Sequence, residues 1–98
     1  ENQFEQNKLD LENTINQAYN DAEGAYKLYL ASQKTLKARK EAYIMAEKQF
    51  EAGTLNSYDF IQIKQRYEIA GSDNVRAKYD YIFKLKILEF YFGLEITI

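Results

Sequence analysis

The groups able to do polar chemistry in this 98-residue chain are 15 acidic and 13 basic side chains, with no His and no Cys. That inventory excludes His-based triads, thiol catalysis, zinc fingers and disulfide frameworks. Two pairs of acids lie close in sequence, Asp10 with Glu12 and Asp21 with Glu23. Each pair is two residues apart, and on a helix that spacing turns the carboxylates to different faces. Neither pair then makes a general acid/base couple or a metal site. The chain has no Gly-rich phosphate loop and no nucleophile elbow. No catalytic residue, cofactor or metal is therefore expected. A formal net charge of −2 argues against a nucleic-acid partner, since such binders are usually basic. The one acid set apart by context is Asp59, which follows a turn signal, with Gln62 three residues on.

What positions Asp59 is legible from the breakers. The chain has no Pro and four Gly, which points to long uninterrupted helices. Around Gly24 and Gly71 the helical pattern continues on both sides, and around Gly53 it stops. The segment Ala52-Gly53-Thr54-Leu55-Asn56-Ser57 reads as a helix C-terminus followed at once by a helix N-terminus. Gly53 suits the left-handed position past a helix end. Asn56 suits an N-cap, with Asp59 completing a capping box and complementing the helix dipole. Gly93 marks a second stop. The tail Leu94-Glu95-Ile96-Thr97-Ile98 alternates apolar and polar, as a short extended segment does.

Both arms carry a sustained alternation of three- and four-residue steps. In the first it runs Phe4, Lys8, Leu11, Ile15, Ala18, Ala22, Ala25, Tyr29, Ser32, Leu36, Arg39, Tyr43, Ala46, Phe50. In the second it runs Phe60, Ile63, Tyr67, Ala70, Asn74, Ala77, Tyr81, then Lys84 or Leu85, Leu88 and Phe92. A 3.5-residue repeat of this length is the coiled-coil signal. The sequence predicts an all-α fold: one long antiparallel two-helix coiled-coil hairpin. Its descending arm covers about 5–51, a tight tip turn 52–56, a returning arm about 57–92, and an extended tail 93–98. Folding about the turn so that paired numbers sum to 109 or 110 sets Phe50 against Phe60, Tyr43 against Tyr67 and Tyr29 against Tyr81. It also sets Ala22 against Leu88, Ser32 against Ala77, and Arg39 against Ala70 beside Gly71, where close approach of the partner helix would account for that Gly. The seam tyrosines are read as packing and the run Lys34, Lys37, Arg39, Lys40 as a solvated face.

Apolar residues also sit off this seam: Tyr19, Tyr26, Leu28, Leu30, Ile44, Tyr58, Ile61, Ile69, Val75, Tyr79, Ile82, Phe83, Ile87 and Phe90. Such second faces predict further helices in an intact assembly. Charge is uneven, −5 over residues 1–26, +3 over 27–51 and zero over 52–98, and reads as solvated surface. No apolar run approaches the ~20 residues of a membrane-spanning helix. The acidic, polar start carries no signal peptide, and the lack of an initiator Met suggests an excised or processed chain.

The stretch from Ala46 to Gln62, with Phe50, Gly53-Thr54 and Asp59-Phe60-Ile61, resembles the second periplasmic turn of TolC-type outer-membrane efflux proteins. Arg76-Ala77-Lys78-Tyr79-Asp80-Tyr81, the apolar helix after it and Gly93 are similar to that family's closing helix. The resemblance covers about residues 11–98. It implies a piece of a trimeric duct, the last periplasmic hairpin of each protomer, without any barrel strand. It implies a passive role in a Gram-negative outer membrane, this segment standing in the periplasm as tunnel wall. The tip would dock a periplasmic adaptor protein, which links it to an inner-membrane pump exporting drugs, toxins or other solutes. By position Gly53, Thr54 and Leu55 match the adaptor-facing tip, and Asp59 matches an acid that narrows the tunnel mouth. Gln62 stands where some members carry a second Asp, and Leu55 where some carry an Arg. Three copies of Asp59 around an axis would repel anions, attract cations and hold a hydrated metal ion. The alternative is a free-standing coiled-coil interaction or spacer module of an unrelated larger protein, whose lateral faces would be charged rather than apolar.

Overall fold

A computed structural model of the protein describes residues 2–97. Two helices make up the fold, α1 (Asn2–Glu51) and α2 (Ser57–Thr97). They pack antiparallel into a rod of 77 × 17 × 14 Å. At ~1.5 Å per residue the 50 residues of α1 span ~75 Å, so α1 alone sets the length of the rod. Helices this long persist because nothing interrupts them: there is no Pro, and each added residue brings one further hydrogen bond.

Along the seam, the buried side chains are Ile15, Ala18, Ala22, Ala25, Ala46, Ala70 and Leu88. Five of these seven are alanine, small side chains that let two helix backbones approach closely. Aromatic layers alternate with the small ones. Phe50 stacks on Phe60 with ring centroids 4.7 Å apart, Tyr43 on Tyr67 at 5.2 Å, and Tyr29 on Tyr81 at 6.3 Å. All three pairs fall in the register the sequence predicts. Large rings fill the layers that alanines leave thin, which keeps the seam dense. Near the open end Ile15, Ala18, Ala22 and Leu88 form one cluster, with Leu11, Ile87 and Tyr91 packed against it.

Several details differ from the sequence reading. The helix does not stop at Gly93; α2 continues to Thr97 in place of an extended tail, and Ile98 lies outside the described residues. A Gly costs a helix only ~1 kcal/mol, and an established helix propagates through it. Phe92 is 44% exposed, while Tyr91 packs on the seam cluster. The steps run Tyr81, Lys84, Leu88, Tyr91, keeping the three-then-four alternation. Ile87 belongs to that cluster's rim rather than to an outer face. Phe4 is 65% exposed and Lys8 is exposed, in the part of α1 that extends past the described end of α2. Gly71 does not mark a close approach: a Cβ there would meet only Leu36 Cδ1, at an ordinary 3.9 Å. Ser32 bonds across the seam to Asn74 rather than packing on Ala77 alone: its hydroxyl proton can go to the Tyr29 carbonyl (2.7 Å) or the Asn74 amide oxygen (3.1 Å).

The ion pairs among the described residues run along single helices, Glu23–Lys27, Asp80–Lys84 and Glu89–Lys86. Exposed pairs of this kind contribute little, so the hairpin rests on the seam. Leu88→Ala should therefore cost about 2–3 kcal/mol, measured as a lowered urea midpoint at unchanged slope. A loss below about 0.5 kcal/mol would show that the open end of the seam is not packed as described.

Candidate functional site

The tip is built from two helix ends meeting over five residues. At the end of α1, Gly53 has φ of 78°, the sole positive φ among the described residues. Around it the Gly53 N–H donates to the Phe50 carbonyl (3.1 Å) and the Thr54 N–H to the Gln49 carbonyl (2.9 Å). This paired pattern closes a helix with a left-handed residue. The Thr54 hydroxyl donates to the same Gln49 carbonyl at 3.0 Å. A carbonyl that the helix would leave without a partner thus receives two donors.

At the start of α2 the Asp59 N–H donates to Asn56 Oδ1 (2.8 Å), and the Asn56 amide donates back to Asp59 Oδ2 (3.1 Å). The Phe60 N–H donates to the Asn56 carbonyl, the first bond of the helix. This is a capping box whose return bond reaches the cap's side chain rather than its backbone. Leu55 and Phe60 occupy the two positions of a hydrophobic staple, and both are half-buried. Below them lies the Phe50–Phe60 stack, so the tip stands on an apolar plug.

The predicted site residues divide in two. Gly53, Thr54 and Leu55 share the apex, with Gly53 and Thr54 exposed. Asp59 lies at the first turn of α2, exposed, its carboxylate bonded to the cap. Gln62 is one turn further, where its side-chain amide donates to the Tyr58 hydroxyl at 2.7 Å. The Asn56–Asp59 cap was legible from spacing. The Thr54–Gln49 and Gln62–Tyr58 bonds were not read from the sequence, although in the second pair a Gln four residues after a Tyr on a helix is a usable signal.

Away from the tip, one acid of each close pair is locally engaged. Asp10 accepts from Gln6 Nε2 at 3.3 Å, and Glu23 pairs with Lys27. No cluster of acidic side chains suited to a metal ion occurs among the described residues. The Tyr43 phenol is held above its ordinary value of 10.0, first by its hydrogen bond to Glu47, then by desolvation, with the Glu47 and Glu68 charges and Tyr67 adding to it. The folded state binds that proton more tightly than the unfolded chain does. The resulting stability is present below pH about 10 and is lost as the pH rises through the folded value.

No protein-family model, curated protein or solved structure matches the chain. The tip's chemistry is therefore read from its own geometry. It offers backbone at a bare Gly, two small polar groups and one capping carboxylate.

No atom lies within 4 Å of a Cβ placed on Gly53, so only its left-handed backbone resists substitution. Gly53→Ala should cost about 1–2 kcal/mol, and Gly53→Asn clearly less, because Asn tolerates that conformation. Equal melting temperatures for the two variants would overturn this account. Asp59→Ala should cost ~0.5–1 kcal/mol as a lost cap partner, read from the same melting curves.

Proposed function

We propose that this hairpin is a wall element of a trimeric outer-membrane efflux channel, standing in the periplasm and presenting its tip to an adaptor protein. The carrying observation is the combination at the tip. A rod ~75 Å long ends in a reversal of five residues, closed on one side by Gly53-Thr54 and on the other by the Asn56–Asp59 cap. These are the residues on which the resemblance to the TolC-type turn rests. The exposed apolar residues on the sides of the rod support a wall rather than a spacer arm, which would bare charged flanks.

In this proposal the work is passive. Gly53 leaves the apex without a side chain, so an adaptor hairpin can approach the backbone. Thr54 supplies a hydroxyl, and Leu55 braces the turn from within. Asp59 acts twice: its carboxylate orders the first turn of α2, and three copies around an axis would favour cations at the mouth. With Gln62 in place of a second acid and Leu55 in place of an Arg, the mouth carries one charge per protomer and no Arg-based lock. Solute would pass along the tunnel under the drive of an inner-membrane pump reached through the adaptor.

The expectation is specific to the intact protein. Residues preceding this hairpin should supply amphipathic strands and a second hairpin of the same kind; an enzyme domain there would overturn the proposal. In planar bilayers, Asp59→Ala in the full-length channel should raise single-channel conductance and reduce cation selectivity, with Gln62→Ala changing neither. Unchanged conductance and selectivity in Asp59→Ala would remove Asp59 from the mouth.

A further inference from the structure

The backs of the two helices differ. The outermost positions of α1, those facing directly away from the seam, are Gln6, Asn13, Asn20, Lys27, Lys34, Glu41 and Lys48, all polar and all exposed. The outward half of α2, a wider band than that single row, carries Tyr58, Ile61, Ile69, Val75, Tyr79, Ile82, Phe83 and Phe90, all exposed, with Gln65, Ser72 and Lys86 among its outermost positions. Ile69 is 60% exposed and Phe83 65%. The flanks of α1 also bare Leu9, Leu28, Leu30, Ile44 and Met45, so the contrast is one of degree, with apolar side chains densest on the outward half of α2. We infer that the outer face of α2 is the contact by which two copies of this chain pair, α2 against α2, antiparallel and centred on Ser72.

Charge selects both the direction and the register. Near the middle of this face stand two charges, Glu68 and Arg76, eight residues apart, with Lys86 and Glu89 toward its end. A parallel pairing would set each against its own copy, like against like. An antiparallel pairing in which facing residue numbers sum to 144 sets Glu68 of one copy against the partner subunit's Arg76, and the reverse, giving two ion pairs. The same register sets Ile61 against the partner subunit's Phe83, and Ile69 against the partner subunit's Val75. It places Gln65 against the partner subunit's Tyr79. Ser72 meets its own copy at the centre, where a small side chain permits close approach. Shifting the register by one heptad puts Glu68 against an aromatic ring or an isoleucine and strands Arg76 against an aliphatic. Opposed charges thus fix specificity as well as attraction.

The area is sufficient. From Tyr58 to Lys86 the face is ~42 Å long. Two such faces pressed together remove on the order of 1,000 Å² from water, the lower bound for a specific interface. The pairing is isologous and closes on itself, leaving the polar back of α1 outermost on both sides. It concerns the 98-residue chain by itself and does not rest on the channel reading.

The test is sedimentation equilibrium of the 98-residue chain at about 100 μM, followed by cysteine cross-linking in this Cys-free background. The expected mass is twice the 11.6 kDa of the chain. Under mild oxidation Ser72→Cys should link into covalent dimers rapidly, because the two-fold axis brings that position onto itself. Gln65→Cys should not, whereas a parallel pairing would link both alike. Glu68→Arg should raise the dissociation constant about tenfold, and the double exchange Glu68→Arg with Arg76→Glu should restore it. Both positions are exposed, so helicity by circular dichroism should be unchanged in each variant. A monomer or trimer at this concentration would overturn the inference. Equal cross-linking at both positions would overturn the antiparallel register.

Discussion

The register of this molecule is set at one residue. Gly53 takes a left-handed conformation that a Cβ makes costly, and it does so at the one place where the chain reverses. The bonds around it fix where α1 ends, and the Asn56–Asp59 cap fixes where α2 begins. Between these two ends there is no slack. Every layer of the seam inherits its pairing from that spacing, from Phe50 on Phe60 beside the turn to the Leu88 cluster far from it. A residue inserted in the turn would rotate one stripe by about 100° against the other and set rings against polar side chains along the whole rod.

A seam of alanines and stacked rings is an economical way to hold two helices with one interface. Alanines let the backbones close up, and the rings then supply most of the apolar area in each layer. The polar layer at Ser32 and Asn74 interrupts this in the middle of the rod. Among the described residues no buried side-chain polar atom is left without a hydrogen bond, so the interruption costs little while still opposing slippage. A polar pair on facing stripes discriminates against registers in which either partner would meet an apolar side chain.

How much was legible follows from what is local and what is periodic. The turn at 52–56 rests on residue types within one or two turns of helix, and the cap rests on a three-residue spacing, so both could be read. The stripes could be read because a 3.5-residue period repeats many times and averages out its exceptions. The exceptions themselves could not. Gly93 looked like a stop, yet a single Gly after a long helix is too small a penalty to end it. Gly71 looked like a point of contact, but a bare position on a stripe is equally compatible with loose packing. The choice between Lys84 and Leu85, and with it between Tyr91 and Phe92, turned on one step of the alternation near the chain end. α1 runs on past that point, and its Ile15–Ala18–Ala22 cluster takes Tyr91. At the tip, spacing identified Asp59 as a capping residue, while the Thr54 hydroxyl on the Gln49 carbonyl depended on a backbone conformation that residue types alone do not specify.

The two helices are not equivalent, and that asymmetry governs how the hairpin meets its surroundings. In a solitary hairpin each helix needs one apolar stripe; α1 adds to its stripe exposed Leu9, Leu28, Leu30, Ile44 and Met45 on its flanks, while its outermost row is polar. α2 has an apolar stripe on the seam and a second apolar face away from it. The extra face contributes nothing to the two-helix fold, since it lies on the far side from α1. In water it is a liability, because exposed β-branched and aromatic side chains promote non-specific association. It runs from Tyr58 to Phe90, about nine turns of α2, and the hairpin's own stability does not account for it. In the pairing inferred above, α2 would be the inner helix and α1 the outer one. The tip, which belongs to both, projects from the end of that arrangement with its apex exposed. Contacts made by the side of the rod and contacts made by its tip are thereby kept apart, and one hairpin can assemble laterally without occluding the surface it presents at its end.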